Sequence, residues 1–397
     1  MDLAYTAAYE DFRVHTRAFL EQHRATFPNP YGGGRPAADM LVWQKLLIEN
    51  GYAARTVPRE YGGYGAEPDI LKSRIIAEEF TRAKAPMGLS GQGISMLAPT
   101  LLEVGSEEQK RRYVAPTLRG EIIWCQGYSE PGAGSDLASL QTRGQEDGAD
   151  FLINGQKIWT STAQSADMIF CLVRTESERA KHQGISYILF PMNTPGIEVC
   201  PLKTMTGNAE FNEVFFTDVR VPQENVVGGR GQGWSVANAT LKHERGMLGD
   251  PNAANTRLQA IIELMKDETV SGESLMHNAV FRDRLMQLQG RVLAMQFHGL
   301  RLLTASMTGD DVGLGRLIVK LEGCELNHQL AAFAIDVLGE LGVLYQDSPH
   351  LRANGFWQRA YMFDLGLIIG GGTAQIQKNI IAERGLGLPR EPKLARG

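Results

Sequence analysis

Four short segments of this 397-residue chain carry residue types that could do chemistry. The first is "ANATLKHERGML", residues 237–248, where Lys242, His243, Glu244 and Arg245 stand in a row. A run of charges is ordinarily a solvated face, but helical phase sets Glu244 apart. It follows Leu241, Thr240 and Ala237 at helical spacing and precedes Met247 and Leu248 in the same way. Lys242 instead shares its face with Asn238 and Arg245. A carboxylate on an apolar face is costly unless paired or protonated, and burial raises its pKa toward the range of a general base. Glu244 is therefore a candidate acid–base group, with structural pairing to Arg245 or another cation as the plainer alternative.

The second segment is "GYSEPGAGSD", residues 127–136. Gly132, Gly134 and Ser135 let a turn present backbone N–H groups, the kind of concavity that holds a pyrophosphate. It is not a dinucleotide fingerprint, because only the first two glycines of GxGxxG are present and no helix is expected after it. The plain alternative is an ordinary loop. The third is "KIWTST", residues 157–162, read as a strand in which Trp159 is either a core residue or a platform for a flat cofactor ring. The fourth is "GGGTAQIQ", residues 370–377. Thr373 is a fair N-cap there, and the glycines allow either a tight interhelical turn or the close approach of a ligand.

These segments need elements to position them, and the periodicity divides the chain into three stretches. Residues 1–122 read as helical: "AYEDFRVHTRAFLEQH" places Ala8, Phe12, Ala18 and Phe19 near one stripe, Gly51 stops a helix, and Ser106 is an N-cap. Residues 123–233 hold short β-rich runs separated by Gly, Pro and Asn, with Asn154-Gly155 as a hairpin signal. No long amphipathic helix separates them, which predicts an antiparallel sheet or barrel. Residues 234–397 return to long helical patterns that end at Gly387 and Pro389. The expected class is multidomain α+β: a helical domain, an antiparallel β-barrel or sandwich, and a helical bundle.

Bulk properties remove several function classes. A net charge of −5 gives no electrostatic case for nucleic acid or an anionic membrane. The four cysteines, Cys125, Cys171, Cys200 and Cys324, have neither zinc-site nor disulfide-framework spacing, so no metal is expected and a reducing, cytoplasmic setting fits. The first residues lack the pattern of a secretory signal, and no apolar run reaches the roughly 18 residues of a spanning helix.

Taken together and in order, "PREYGG", "GSEEQKRRYVAPTLRGE", "GYSEPGAGSD", "NGQKIWTS", "LKHER" and "GGTAQIQKNIIAERGLGLPR" resemble the acyl-CoA dehydrogenases over nearly the whole chain. The resemblance implies α,β-dehydrogenation of an acyl-CoA thioester. FAD would lie between a middle β-domain and a C-terminal four-helix bundle, within a homotetramer or related dimer-of-dimers. It also implies electron-transfer flavoprotein as acceptor. By that analogy Gln126, Tyr128, Ser129, Gly134 and Ser135 would touch flavin, pyrophosphate or acyl-CoA. Trp159 and Ser161 would flank the isoalloxazine ring, and Thr373 and Gln375 would contact FAD.

Many family members carry the catalytic glutamate immediately before Gly-Thr, where this chain has Gly371. A smaller group, including isovaleryl-CoA dehydrogenase, carries it before an arginine on the first long helix of the last domain. Glu244-Arg245 matches that group, so Glu244 is expected to be the base, with Arg245 and Gly371 beside the substrate. The missing side chain at 371 suits a branched or bulky acyl group, and the chain's C-terminal end resembles a bacterial subgroup that acts on such thioesters. Two departures stand out. The Arg-x-x-Phe-Gly segment is poorly matched, and Asp336 and Glu340 replace a glutamine and a glycine near the expected adenine end of FAD. Such changes would suit one subunit of a heteromer. The competing readings are thus a partner subunit that binds FAD poorly, a flavin oxidase or monooxygenase, and a nucleic-acid-binding offshoot disfavoured by the charge.

Overall fold

The computed structural model describes residues 5–29, 34–245, 251–308, 310 and 313–390, with backbone only at 244–245, 251–252 and 306–307. The chain divides into two compact units, one of Met1–Thr204 with Ala209–His243 and one of Met205–Asn208 with Glu244–Gly397. No described helix is long and apolar enough to cross a membrane.

The first unit opens with five helices, α1 (Ala7–His23), α2 (Ala38–Glu49), α3 (Ile70–Ala83), α4 (Ala98–Val104) and α5 (Glu107–Leu118). The local signals act as anticipated at two of them. After α2, Gly51 takes φ +73°, and Ser106 caps α5 in a full capping box with Gln109. The α1 stripe differs from expectation. Thr16, Phe19 and Leu20 are buried, whereas Ala8 and Ala18 are exposed, because α1 packs through the larger side chains and turns its alanines to solvent. Glu79 of α3, 2% exposed, accepts from Arg13 and Arg17 and so ties α3 to α1.

Eight strands follow: β1 (Trp124–Gly127), β2 (Arg143–Asp147), β3 (Asp150–Lys157), β4 (Met168–Arg174), β5 (Ile185–Pro191), β6 (Ile197–Leu202), β7 (Phe211–Pro222) and β8 (Val226–Val227). They form one sheet in the order β6-β7-β3-β2-β4-β5-β8, with β1 alongside β4. The sheet is antiparallel at most pairings. β1 runs parallel to β4, and β2 meets β4 parallel at Arg143–Arg174. One sheet face packs on the helices through Phe170, Leu172, Tyr187 and Leu189, and the other buries Phe151, Ile169, Ile188 and Phe190. Helix α6 (Gly233–Arg245) adds Val236 and Ala237 to the first of these cores.

The Asn154-Gly155 hairpin expectation is overturned. The β2–β3 reversal lies at Asp147–Asp150, with Gly148 at φ +64°, and β3 runs straight through residues 154 and 155. Asn154 is used sideways: its Nδ2 donates to Asp218 Oδ1, and its Oδ1 accepts from the Asp218 N–H, both at 3.0 Å. The register against β7 shifts between Ile153 and Gly155, so the dipeptide makes a bulge rather than a turn.

The second unit holds α7 (Pro251–Asp267), α8 (Ala279–Thr308), α9 (Gly315–Leu338) and α10 (Phe356–Ile369) as a four-helix bundle, followed by α11 (Ala374–Ile380). Its core interleaves Leu258, Ile261 and Met265 of α7 with Leu326, Leu330 and Phe333 of α9. Asp364, fully buried on α10, is paired with Arg257 of α7.

The bulge makes a stability prediction. Gly155 has φ +150°, and a Cβ there would lie 2.6 Å from Thr142 Oγ1 and 2.7 Å from its Cα. Gly155→Ala is expected to lower unfolding free energy by ~1–3 kcal/mol, read from the urea midpoint.

Candidate active site

Strand β1 ends at Gly127, where a Cβ would sit 2.7 Å from Ile169 Cδ1, so only glycine lets the chain pass so close to β4. Tyr128 follows, 5% exposed, its ring edge-on to Phe170 and Tyr187. The chain then makes a tight turn in which the N–H and C=O of Glu130 and Ala133 bond each other. Beyond it Gly132, Gly134 and Ser135 are exposed. A Cβ on Gly132 or Gly134 would meet nothing within 4 Å, and neither glycine needs a positive φ. The protein itself therefore makes no demand for glycine at those positions. An external group lying against the turn would.

Strand β3 ends at Lys157, earlier than the sequence pattern suggested. Ile158 N–H donates to Ser129 C=O at 2.9 Å, and Thr160 exchanges backbone bonds with Asn212 at 3.0 and 3.1 Å. Between these two anchors Trp159 adopts φ +61° and is 58% exposed, with its ring edge-on to Phe211. The core-strand alternative for Trp159 is thus set aside. A bulky residue in the left-handed region costs ~1–3 kcal/mol, a cost that clusters at functional sites. Gln126 Nε2 and Thr160 Oγ1 are both buried without a hydrogen-bond partner. Ser161 and Thr162 line a cavity of about 370 Å³ together with Gly91, Gln92, Gly93 and Trp124.

The segments converge because one buried ion pair holds them. Lys157, with no exposed surface, donates to Glu130 Oε1 at 2.8 Å and to Tyr128 C=O at 3.2 Å. Glu130 also accepts from the Gln141 N–H at 2.5 Å and the Thr142 N–H at 2.8 Å. Sequence reading passed over this pair, although a lysine two residues past Gly155 on the inward-facing positions of β3 was a signal for it.

Glu244 and Arg245 end α6, and their side chains lie outside the described residues. The stripe that leads to Glu244 is packed as its phase requires, since Ala237 is 1% and Thr240 0% exposed. Thr240 Oγ1 lies 3.0 Å from Thr100 Oγ1. Toward the same helix α4, Lys242 Nζ and His243 Nε2 lie 3.8 and 3.0 Å from Glu103 Oε1.

Thr373, Gln375 and Gly371 belong to the second unit. Thr373 is the N-cap of α11, with its Oγ1 accepting from the Ile376 N–H at 3.1 Å. Gln375 is exposed. Gly371 and Gly372 have φ of +64° and +93°, and a Cβ on Gly372 would fall 2.7 Å from Gln377 Nε2, so the turn itself requires glycine there. Lys320, 1% exposed on α9, donates to Gly372 C=O at 2.7 Å and Ile368 C=O at 3.2 Å, which fixes the turn. Asp336 is paired with Arg284 at 2.7 Å, so its charge is offset by a cation from α8.

Comparison with known proteins decides the family. Models of the acyl-CoA dehydrogenase N-terminal, middle and C-terminal domains match residues 6–121, 125–219 and 231–386. The chain belongs to the acyl-CoA dehydrogenase family. The acyl-CoA dehydrogenase IpdE1 of Mycobacterium tuberculosis is 38% identical, covering 97% of this chain and 99% of that protein. Among solved structures, the Tcur3481-Tcur3483 steroid ACAD matches at 29% identity with a TM-score of 0.81, covering 98% of this chain and 100% of that one. The ChsE4-ChsE5 complex from Mycobacterium tuberculosis matches at 31% with a TM-score of 0.80, again covering 98% and 100%. The reaction class of the family is dehydrogenation of an acyl-CoA thioester, with electron-transfer flavoprotein as the usual acceptor. Family members are flavoproteins. The residues of the first unit fit a flavin: Gln126 Nε2 is buried without a partner, Trp159 is exposed, and Ser129, bonded to Ile158, leads into a turn whose Gly132 and Gly134 nothing in the protein crowds.

The Glu130–Lys157 ion pair predicts a contribution to stability that depends on pH. Burial pushes the Glu130 carboxyl up, but Lys157, Thr142 and the Gln141 N–H outweigh it and hold the group below its ordinary 4.5. A carboxyl with a depressed native pKa contributes stability that is complete above its unfolded value and lost as pH falls through the native one. The stability difference between wild type and Glu130→Gln, from urea unfolding, should therefore shrink as pH drops below the ordinary carboxyl range. A difference unchanged with pH would contradict this.

Proposed function

We propose that this dehydrogenase binds FAD with Gln126, Tyr128, Ser129, Gly134, Ser135, Trp159 and Ser161 of the first unit. It then dehydrogenates a bulky acyl-CoA with Glu244 as base. The observation that carries the reading is Trp159, held outward at φ +61° by bonds on either side of it. A bound FAD would supply the acceptor for the β-hydrogen of the thioester, which leaves as hydride. In this reading Glu244 removes the α-proton as general base. Arg245 follows it directly and supplies a positive charge for an anionic part of the thioester. His243, the nearest other candidate base, is engaged by Glu103.

One feature of the sequence supports a bulky substrate: position 371 carries no side chain where many family members carry the base. The Tcur3481-Tcur3483 relative is named a steroid ACAD, and a polycyclic acyl group is the class we assign here. Four free cysteines, three of them buried, suit a reducing cytoplasm.

The dehydrogenase is also proposed to assemble with a second copy or a homologous subunit. Met286, Leu293, Phe297 and Leu300 form one stripe along α8, each 38–62% exposed, and the ChsE4-ChsE5 relative is a complex of two chains. A protein that purifies yellow near one FAD per chain supports a catalytic subunit, whereas a colourless one supports a partner subunit.

Glu244→Gln should retain FAD and thioester binding yet slow anaerobic flavin reduction by at least about a hundredfold, the usual scale of general-base loss. Unchanged reduction would assign the base elsewhere. On a panel of thioesters, kcat/KM should favour polycyclic over short linear chains. A clear preference for butyryl-CoA would overturn the substrate assignment.

A further inference from the structure

We infer that Glu130 and Lys157 are positioning residues for the flavin face: their buried ion pair sets the placement of Trp159 against the Tyr128–Ser135 turn. The inference rests on the FAD reading above. Lys157 and Glu130 are 0% and 7% exposed and 2.8 Å apart, so neither can touch a ligand on the surface. A buried ion pair is weak evidence for stability, because an apolar pair of the same volume is often as good. What the pair provides is direction. Lys157 reaches Tyr128 C=O and Glu130, and Glu130 reaches the backbone of Gln141 and Thr142, so three separate segments share one set of charge-assisted bonds.

Position in the chain gives that set its consequence. The residue after Lys157 bonds Ser129, and the next is the outward Trp159. Tyr128 lies two residues before Glu130, and the exposed Gly132, Gly134 and Ser135 follow from two residues after it. An apolar pair at 130 and 157 would fill the space but would leave Tyr128 C=O and the two N–H groups without these partners. The turn could then shift relative to Trp159, and a site loosened by about 1 Å binds its ligand less well while the fold persists.

The test uses wild type, Glu130→Gln, Lys157→Arg and the double variant Glu130→Gln/Lys157→Met, each purified as the full chain and titrated with FAD after deflavination. Far-UV circular dichroism and the melting temperature report folding. The FAD Kd, visible circular dichroism of the bound flavin, and kcat against KM report positioning. The double variant should fold cooperatively, bind FAD at least tenfold more weakly, and show an altered visible dichroism. Lys157→Arg, which keeps the charge, should recover part of the affinity. If the double variant does not fold, Glu130→Gln decides the matter on the same readouts. Wild type that takes up no FAD would sink the reading on which the inference rests. Variants that match a FAD-binding wild type within twofold, with unchanged dichroism, would overturn the inference alone.

Discussion

A backbone bond 2.9 Å long, from Ile158 N–H to Ser129 C=O, joins two segments that are almost thirty residues apart and carry most of the expected flavin contacts. Next to it β1 lies directly against β4 at Gly127, and the register of β3 against β7 shifts at the bulge beside Gly155. The Lys157–Glu130 pair secures the same junction from below. Each of these is a local steric or hydrogen-bonding condition. Together they join the segment of the exposed Trp159 to the one that leads into the Glu130–Ala133 turn.

The second unit contributes residues of a different kind. Its glycine turn needs no ligand to explain it, since the positive φ of Gly371 and Gly372 and the packing of Gln377 account for the sequence. Lys320 holds the turn by its carbonyls, so the backbone around Thr373 is fixed although no acid stands at 371. The family's chemistry still needs a carboxylate. Under the proposal, Glu244, which follows the buried Ala237 and Thr240 on α6, would supply one.

Much of this was legible in the residues. The N-caps Ser106 and Thr373 work through a hydroxyl and a free N–H, a local interaction that the sequence states outright. Asn154-Gly155 was misread because the side chain of Asn154 bonds to Asp218, sixty-four residues away, and so a turn signal became a bulge. The outward Trp159 was beyond pattern reading for the same reason: its conformation is imposed by partners at Ser129 and Asn212. Helical phase singled out Glu244, and the burial of Ala237 and Thr240 fits that phase, while its own side chain lies outside the described residues. Short-range chemistry was readable, and long-range pairing was not.

The claim at the centre is that Trp159 is held out of the core to receive a flavin ring. Titrating deflavinated wild type and Trp159→Ala with FAD, followed by flavin absorbance and fluorescence, addresses it directly. Loss of at least about tenfold in affinity, with bound-flavin fluorescence no longer quenched as in wild type, is the predicted result. Equal affinity and an identical bound-flavin spectrum would contradict the account.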